Sequence, residues 1–387
     1  MKLLYLSSPF FADCDFPLVK TFQQKGIDVT YLILLPPFAL KSTLFNIQKQ
    51  LPHTGIFPSS VYPEIKIYAD YLNLDKVFVS NRTNKKSYSW SYWKETFLLS
   101  HFIKSGQFDV IHTSLCFTGF RRWFYKLNHF FVTTHHDPFP HTGEEKCKPM
   151  KVYRWVNCHS AGLVILNKKQ LVDFCNVYNV APEKVLVNKL GVYDVIRAFK
   201  VNSIPIPHNV LFFGRISPYK GIEYLCEAMK IVHKAVPDAT LTIAGGGQMY
   251  FDIEPYQNLD YFEFRNRYIN MCELAELVSR CSFVVCPYTD ATQSGVIMTS
   301  FALGKPVVAT DVGGMSEMIE EGKSGKLIPP KDTESLAKAI IDLLKDDSIL
   351  KTMKDYVIQR YYLGEDSWST IADRYIEFYN RIKSSLK

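Results

Sequence analysis

The chain has 387 residues, 47% of them apolar and 21% charged, with a formal net charge of +7. This is enough for two domains with sizeable cores, and it excludes a disordered or low-complexity protein. No run of about 18 apolar residues occurs, so the sequence predicts no membrane-spanning helix.

In chain order, "KLLYLSS" (2–8) reads as a first buried strand. Its apolar run is too short, and acidic too soon, for a signal peptide. "FPLVKTFQQKG" (16–26) reads as a helix closing on Gly26, and "IDVTYLILLP" as the next apolar run. A helix follows in "SYWKETFLLSHFIKSG", then strands in "FDVIHTS", "FFVTTHH" and "AGLVILN", a helix in "KKQLVDFCNVYN" and a strand in "EKVLVNKLG". Apolar strands separated by amphipathic helices predict a parallel sheet covered on both faces. "VNSIPIPHN" (201–209), with two prolines, interrupts the pattern as a linker. Alternation then resumes: "VLFFG", a helix from about Lys220 to Val236, "ATLTIAGGG", "YFEFRNRYI" before the helix "MCELAELVSRC", "SFVVCPY", "KPVVATD", "GKLIPP" and the helix "TESLAKAIIDLLKDD". The fold class is therefore α/β, with two doubly wound Rossmann-like domains whose ligands belong at strand carboxyl ends. The tail "DSWSTIADRYIEFYNRI" is an amphipathic helix with Trp368, Ile371, Ala372, Tyr375, Tyr379 and Ile382 on one stripe and Asp366 as its cap. The division expected is 1–200, 201–365 and a final helix 366–387.

Charge is uneven: residues 1–195 hold 23 Lys/Arg against 14 Asp/Glu, and the remainder 22 against 24. The basic half contains "FRRWFYKLNHFF" (120–131). That stretch reads either as peripheral contact with an anionic membrane surface or as a helix with an ordinary solvated basic face. No nucleic-acid module signature occurs. Nine cysteines, an odd number with no CxxC spacing, read as free thiols of a cytoplasmic protein. "DCD" (13–15), "EGKSG" (321–325) and "AGGGQM" (244–249) each fail on context or spacing as metal, P-loop or dinucleotide motifs.

Three stretches carry chemistry. "FFGRISPYKG" (212–221) puts Arg215 and Lys220 after a strand, where two cations can clamp a diphosphate in place of a metal. "TQSGV" (292–296) is a glycine loop opening a helix, whose N–H groups attract phosphate. "TTHHDPFPHTGEE" (133–145) sets two histidines and an aspartate at a strand end, suited to proton handling or hydroxyl binding.

As an ordered set, "GRISPYKG", "NRYINMCELAELVSRCSFVVCPY", "ATQSGVIMTSFALGKPVVATDVGGMSE" and "GKSGKLIPPKD" resemble the family 4 glycosyltransferases of the GT-B fold. The first domain matches more loosely, through "HHDPFPHTGE" and "NKLGVYD". The resemblance implies two domains facing a central cleft, and retaining, metal-independent transfer from a nucleotide-sugar donor without a cofactor. The acceptor would be a glycan or lipid-linked precursor, as in surface polysaccharide assembly. It also implies roles. Arg215 and Lys220 would hold the donor diphosphate, Ser294 and Gly295 would donate backbone N–H to it, and Val296 would continue that loop. Tyr268 and Ile269 would lie against the base, and His136 and Asp137 would face the sugar and acceptor. The last helix would cross back onto the first domain. One departure stands out: the family's two glutamates, eight apart, are here Thr292 and Ser300, leaving Ser300 one hydroxyl for the ribose. An inactive sugar-nucleotide-binding scaffold and a GT-B epimerase therefore stay open beside the transferase.

Overall fold

The computed structural model describes residues 1–127, 130–139, 150–199 and 203–385. It divides into two compact units: one built from 1–139, 150–190 and 368–385, the other from 191–199 and 203–367. The chain thus changes unit after Leu190, whereas the proline-rich break predicts the change at 201–209. The reason is local: in the second unit, Tyr193 N–H donates to the Met298 carbonyl at 3.2 Å. Val192, Val195 and Ile196 are all buried.

The first unit holds an eight-stranded sheet. Its spatial order is Val185–Val187, Gly162–Ile165, Phe131–His135, Val110–Thr113, Lys2–Ser7, Asp28–Leu34, Val77–Asn81 and Gly55–Pro58. All neighbours are parallel except the edge pair of Gly55–Pro58 with Val77–Asn81. Runs such as Leu3–Leu6 are apolar on both faces because both faces are buried. The first helix, Ala12–Gln24, begins four residues before the predicted start and takes Asp13 and Asp15 into its first turn. Carboxylates are favoured there, which makes "DCD" part of a helix start.

The C-terminal helix Trp368–Ser385 belongs to this unit. Every residue of the predicted stripe is buried, together with Phe378. Tyr375 and Tyr379 meet Phe22 of the first helix at ring centroid distances of 6.3 and 6.1 Å. Asp373 pairs with Lys25 at 2.7 Å. Asp366 accepts from Arg360 Nε at 2.6 Å.

The second unit has six parallel strands in the order Phe262–Arg265, Thr240–Ala244, Asn209–Phe213, Phe283–Cys286, Val307–Thr310 and Gly325–Ile328. Two of its helices carry side-chain caps: Asn270 accepts from Glu273 N–H and Asp332 from Ser335 N–H, each at 3.0 Å. Among the described residues, no helix is long and apolar enough to cross a membrane.

Candidate functional site

In the second unit the strand order reverses between Asn209–Phe213 and Phe283–Cys286, which pair directly through Val210↔Phe283 and Leu211↔Val284. Loops leaving the carboxyl ends of strands diverge at such a point and open a crevice for ligand. Here those loops are 214–221 and 287–295. Thr289 N–H donates to the Tyr219 carbonyl at 2.8 Å and ties them together. Gly221, at φ +62°, approaches so closely that a Cβ there would lie 2.1 Å from the Pro287 carbonyl oxygen. No other residue fits that turn.

Arg215 is exposed at the mouth of the first loop. Lys220 is only 9% exposed, and its Nζ lies 3.6 Å from the ring centre of Tyr288 and 5.0 Å from that of Tyr219. Burial pushes the Lys220 ammonium down to about 8, and the like charge of Arg215 adds to the effect. Among the described residues no carboxylate pairs with either cation. Two cations on adjacent loops, with no carboxylate partner among the described residues, create a local potential that favours anions.

The second loop runs into the helix Gly295–Ala302, which has no side-chain cap. Ser294 is buried and its Oγ donates to Tyr288 Oη at 3.3 Å. Its N–H is already directed at Met318 Sδ, at 3.4 Å. Gly295 has a packing reason as well as a ligand one: a Cβ would stand 2.8 Å from the Tyr193 ring. Val296 borders the first loop, its Cγ2 3.5 Å from where a Gly214 Cβ would be. Lys220 and Ser294 therefore meet at Tyr288, with Val296 beside the turn at Gly214 that leads into Arg215. Thr292 is half-buried in the same loop.

Ser300 lies further along the same helix. It is fully buried, and its hydroxyl donates to the Val296 carbonyl at 2.7 Å. A side chain this short in the second turn bonds back to its own helix, so its hydroxyl hydrogen is not free for a ribose. Tyr268 and Ile269 sit on another loop, after Phe262–Arg265, and both are half-buried. The glycine turn after Thr240–Ala244 abuts them, with a Gly246 Cβ position 3.5 Å from Tyr268 N. Glu273 fixes this loop by accepting from Arg267 at 2.7 Å and Arg265 at 3.0 Å.

Sequence reasoning misses three residues. Tyr288 is the ring on which Lys220 rests. Ser217 Oγ and Gln293 Nε2, one in each loop, are buried atoms without a hydrogen-bond partner among the described residues. Such atoms call for a ligand or another explanation. A tyrosine closing the apolar run "SFVVCPY" was the only signal available for Tyr288.

In the first unit the two histidines part. His135 turns into the core, bonded through Nε2 to Asn157 Oδ1 at 2.7 Å and packed against Tyr153 and Phe174. It is structural. His136 is half-buried, stacks on Phe11 at 4.1 Å, and lies 3.4 Å through Nε2 from Ser114 Oγ. Burial lowers it to about 4, so it is neutral at physiological pH. Asp137 follows it, half-buried. His136 borders a recess of about 20 Å³ shared with Tyr5, Asp15, Lys189, Trp368 and Tyr375. Tyr5 and Tyr31 donate to the Asp15 carboxyl at 2.9 and 3.1 Å, and burial raises that carboxyl to about 7. The "HTGEE" part of the third stretch, and Cys147, lie outside the described residues. Among the described residues no group of three or more His, Cys, Asp or Glu is arranged to hold a metal ion.

Comparison with known proteins bears on both units. The family model for group 1 glycosyl transferases matches residues 207–346, spanning both cationic-site loops. An uncharacterized glycosyltransferase of Methanocaldococcus jannaschii is 31% identical over 146 residues, 37% of this chain and 40% of that protein. A second from the same organism is 29% identical over 240 residues, 57% of this chain and 60% of that one. The alignments therefore span about half the length of these relatives. The solved Anabaena protein HepE, in complex with UDP and glucose, superposes with a TM-score of 0.66 at 17% identity, covering 98% of this chain and all of that one. Likeness at that identity speaks to fold, and the fold is GT-B. The resemblance drawn from the sequence agrees with the family model over residues 207–346.

Proposed function

We propose that this chain is a glycosyltransferase of family 4 type that moves a sugar from a nucleotide-sugar donor to a hydroxyl of a glycan or lipid-linked acceptor, with retention and without a metal. The observation that carries the reading is the pair Arg215 and Lys220, unneutralised at the switch point of a unit that matches the group 1 family. In this reading they bind the donor diphosphate and stabilise the charge that develops as the bond from sugar C1 to phosphate oxygen breaks. The acceptor oxygen forms its bond to C1, and its proton passes to the departing phosphate oxygen. Ser217 and Gln293 supply the remaining polar contacts. Tyr268 and Ile269 take the base. His136, neutral, and Asp137 serve the sugar and acceptor by hydrogen bonding.

Binding of UDP, GDP and ADP, measured by calorimetry in the presence of a chelator, tests this. One nucleotide binds, and Arg215→Ala weakens it by about 10- to 150-fold, the range for a charge-assisted hydrogen bond. His136→Ala leaves that binding intact and lowers product formation. Binding of none of the three would remove the donor site from the proposal.

A second reading, a sugar-nucleotide-binding scaffold, is favoured by one observation. Neither Thr292 nor Ser300 is acidic, and Ser300 is committed to Val296. Nucleotide binding without any product bearing a new glycosidic bond would select it.

A further inference from the structure

The solvent face of the helix Trp90–Gly106, in the first unit, is not that of an ordinary surface helix. Trp90 is 84% exposed and Phe97 71%. Trp93, also exposed, lies on the same stripe by helical spacing. Tyr88, just before the helix, brings its ring to 6.1 Å from Trp93. Phe120, from the turn Gly119–Arg122, meets Trp93 edge-on at 5.0 Å. Trp123, next to that turn, is 40% exposed. A lone exposed apolar side chain needs no explanation, but a group of exposed rings in which Tyr88, Trp93 and Phe120 touch does.

The charge of the two segments that carry these rings is nearly all of one sign. Residues 82–104 and 116–127 carry eight Lys/Arg and a single acid, Glu95. Glu95 is buried at 3% exposure. It is held from below by the Arg121 guanidinium and by Ser80 Oγ at 2.7 Å. No acidic group of these segments therefore faces solvent beside the aromatic rings. Lys94 and Lys104 are exposed on the same helix, and Lys85 and Lys86 on the approach to it.

We infer that this face docks the protein on an anionic lipid surface. Tryptophan and tyrosine favour the headgroup region, where an apolar ring and a polar edge are both satisfied. Each basic residue near such a surface adds about fivefold to partitioning. Aromatic insertion and basic attraction are the two signals that together give stable docking where one alone is marginal. A protein partner fits less well, because interface cores are depleted in lysine. The inference needs only the first unit and does not depend on the proposed transfer.

The test uses the full chain and vesicles of phosphatidylcholine, alone or mixed with phosphatidylglycerol. The protein cosediments with the mixed vesicles, its tryptophan emission shifts to the blue, and partitioning to phosphatidylcholine alone is at least about tenfold weaker. Trp90→Ser combined with Phe97→Ser lowers partitioning to mixed vesicles about tenfold or more and removes the blue shift. Lys85→Glu combined with Lys86→Glu lowers partitioning similarly, most strongly at low salt. Both variants retain the wild-type thermal transitions and nucleotide affinity, which separates failure of this inference from failure of the donor site. No partitioning of the wild type, or equal partitioning of wild type and variants, would overturn it. So would a change of oligomeric state in the aromatic variant without vesicle binding, because a second copy would then cover the face.

Discussion

Lys220 shows how one side chain couples pH to ligand. Its ammonium lies among tyrosine rings, and burial brings its folded-state value down from 10.5 to about 8. Below about 8 the group is charged and attracts a diphosphate; above it, charge and attraction fade. A bound diphosphate raises the value again, so binding takes up a proton between about pH 8 and 9. Nucleotide affinity then falls by up to about tenfold per pH unit from about 8 upwards. Calorimetry in two buffers of different ionisation enthalpy reads the proton directly, and Lys220→Arg abolishes both the uptake and the slope. Ser300→Ala is expected to change affinity by less than about twofold, because the hydroxyl it removes already donates to the Val296 carbonyl within the helix. At this scale the sequence put Arg215 and Lys220 after a strand's carboxyl end, and the structure finds them there with no carboxylate partner among the described residues. The sequence was not legible for Ser300, whose partner is a backbone carbonyl, or for Gln293 and Ser217, whose lack of a partner among the described residues exists only in three dimensions.

Among the elements, the strands were the most legible, because each is an apolar run long enough to span a sheet buried on both faces. Helix starts were less so. Ala12–Gln24 begins before its apolar periodicity does, and the predicted start at Lys220 is a 3-10 turn, with the α-helix beginning at Ile222 beyond the left-handed Gly221. Periodicity reports the buried stripe, whereas a start is set by backbone turns that periodicity does not see. The stripe of the C-terminal helix was read correctly, and the family resemblance gave the first unit as its partner, but periodicity alone could not: Gly162, in a strand some two hundred residues earlier, is small because that helix lies on it. A Cβ at Gly162 would stand 2.5 Å from Ile382 Cδ1 and 2.7 Å from the Phe378 ring. Gly162→Ala should therefore cost about 1–3 kcal/mol by overpacking. Phe378→Ala should cost about 3–5 kcal/mol by leaving a cavity. The double variant should be more stable than the sum of the two losses predicts, by about 0.5 kcal/mol or more, since the cavity accepts the new methyl. Denaturant unfolding of the four proteins completes the cycle. Strict additivity would mean that the helix does not rest on Gly162.

Across the molecule, the last helix of the chain completes the first unit, and the residues between 191 and 367 form the second. Each unit has its own sheet and its own buried core. Composition announced two domains, and the proline-rich 201–209 announced a break. That break lies within the second unit because Val192, Val195 and Ile196, not the prolines, decide which core the chain enters. The arrangement has a thermodynamic consequence. If the nucleotide binds the loops around Tyr288, its binding energy acts on the second unit alone. At a free concentration about one hundred times the dissociation constant, that stabilisation is about 2.7 kcal/mol. Phe378→Ala acts on the first unit, although residue 378 lies beyond all of the second unit in sequence. Scanning calorimetry should therefore resolve two transitions that move independently. Nucleotide raises one, Phe378→Ala lowers the other, and Arg215→Ala cancels the nucleotide shift without moving either baseline temperature by more than about a degree, as expected for an exposed side chain. A single transition moved by both perturbations would show the two cores unfolding as one and would remove the independence on which this prediction rests.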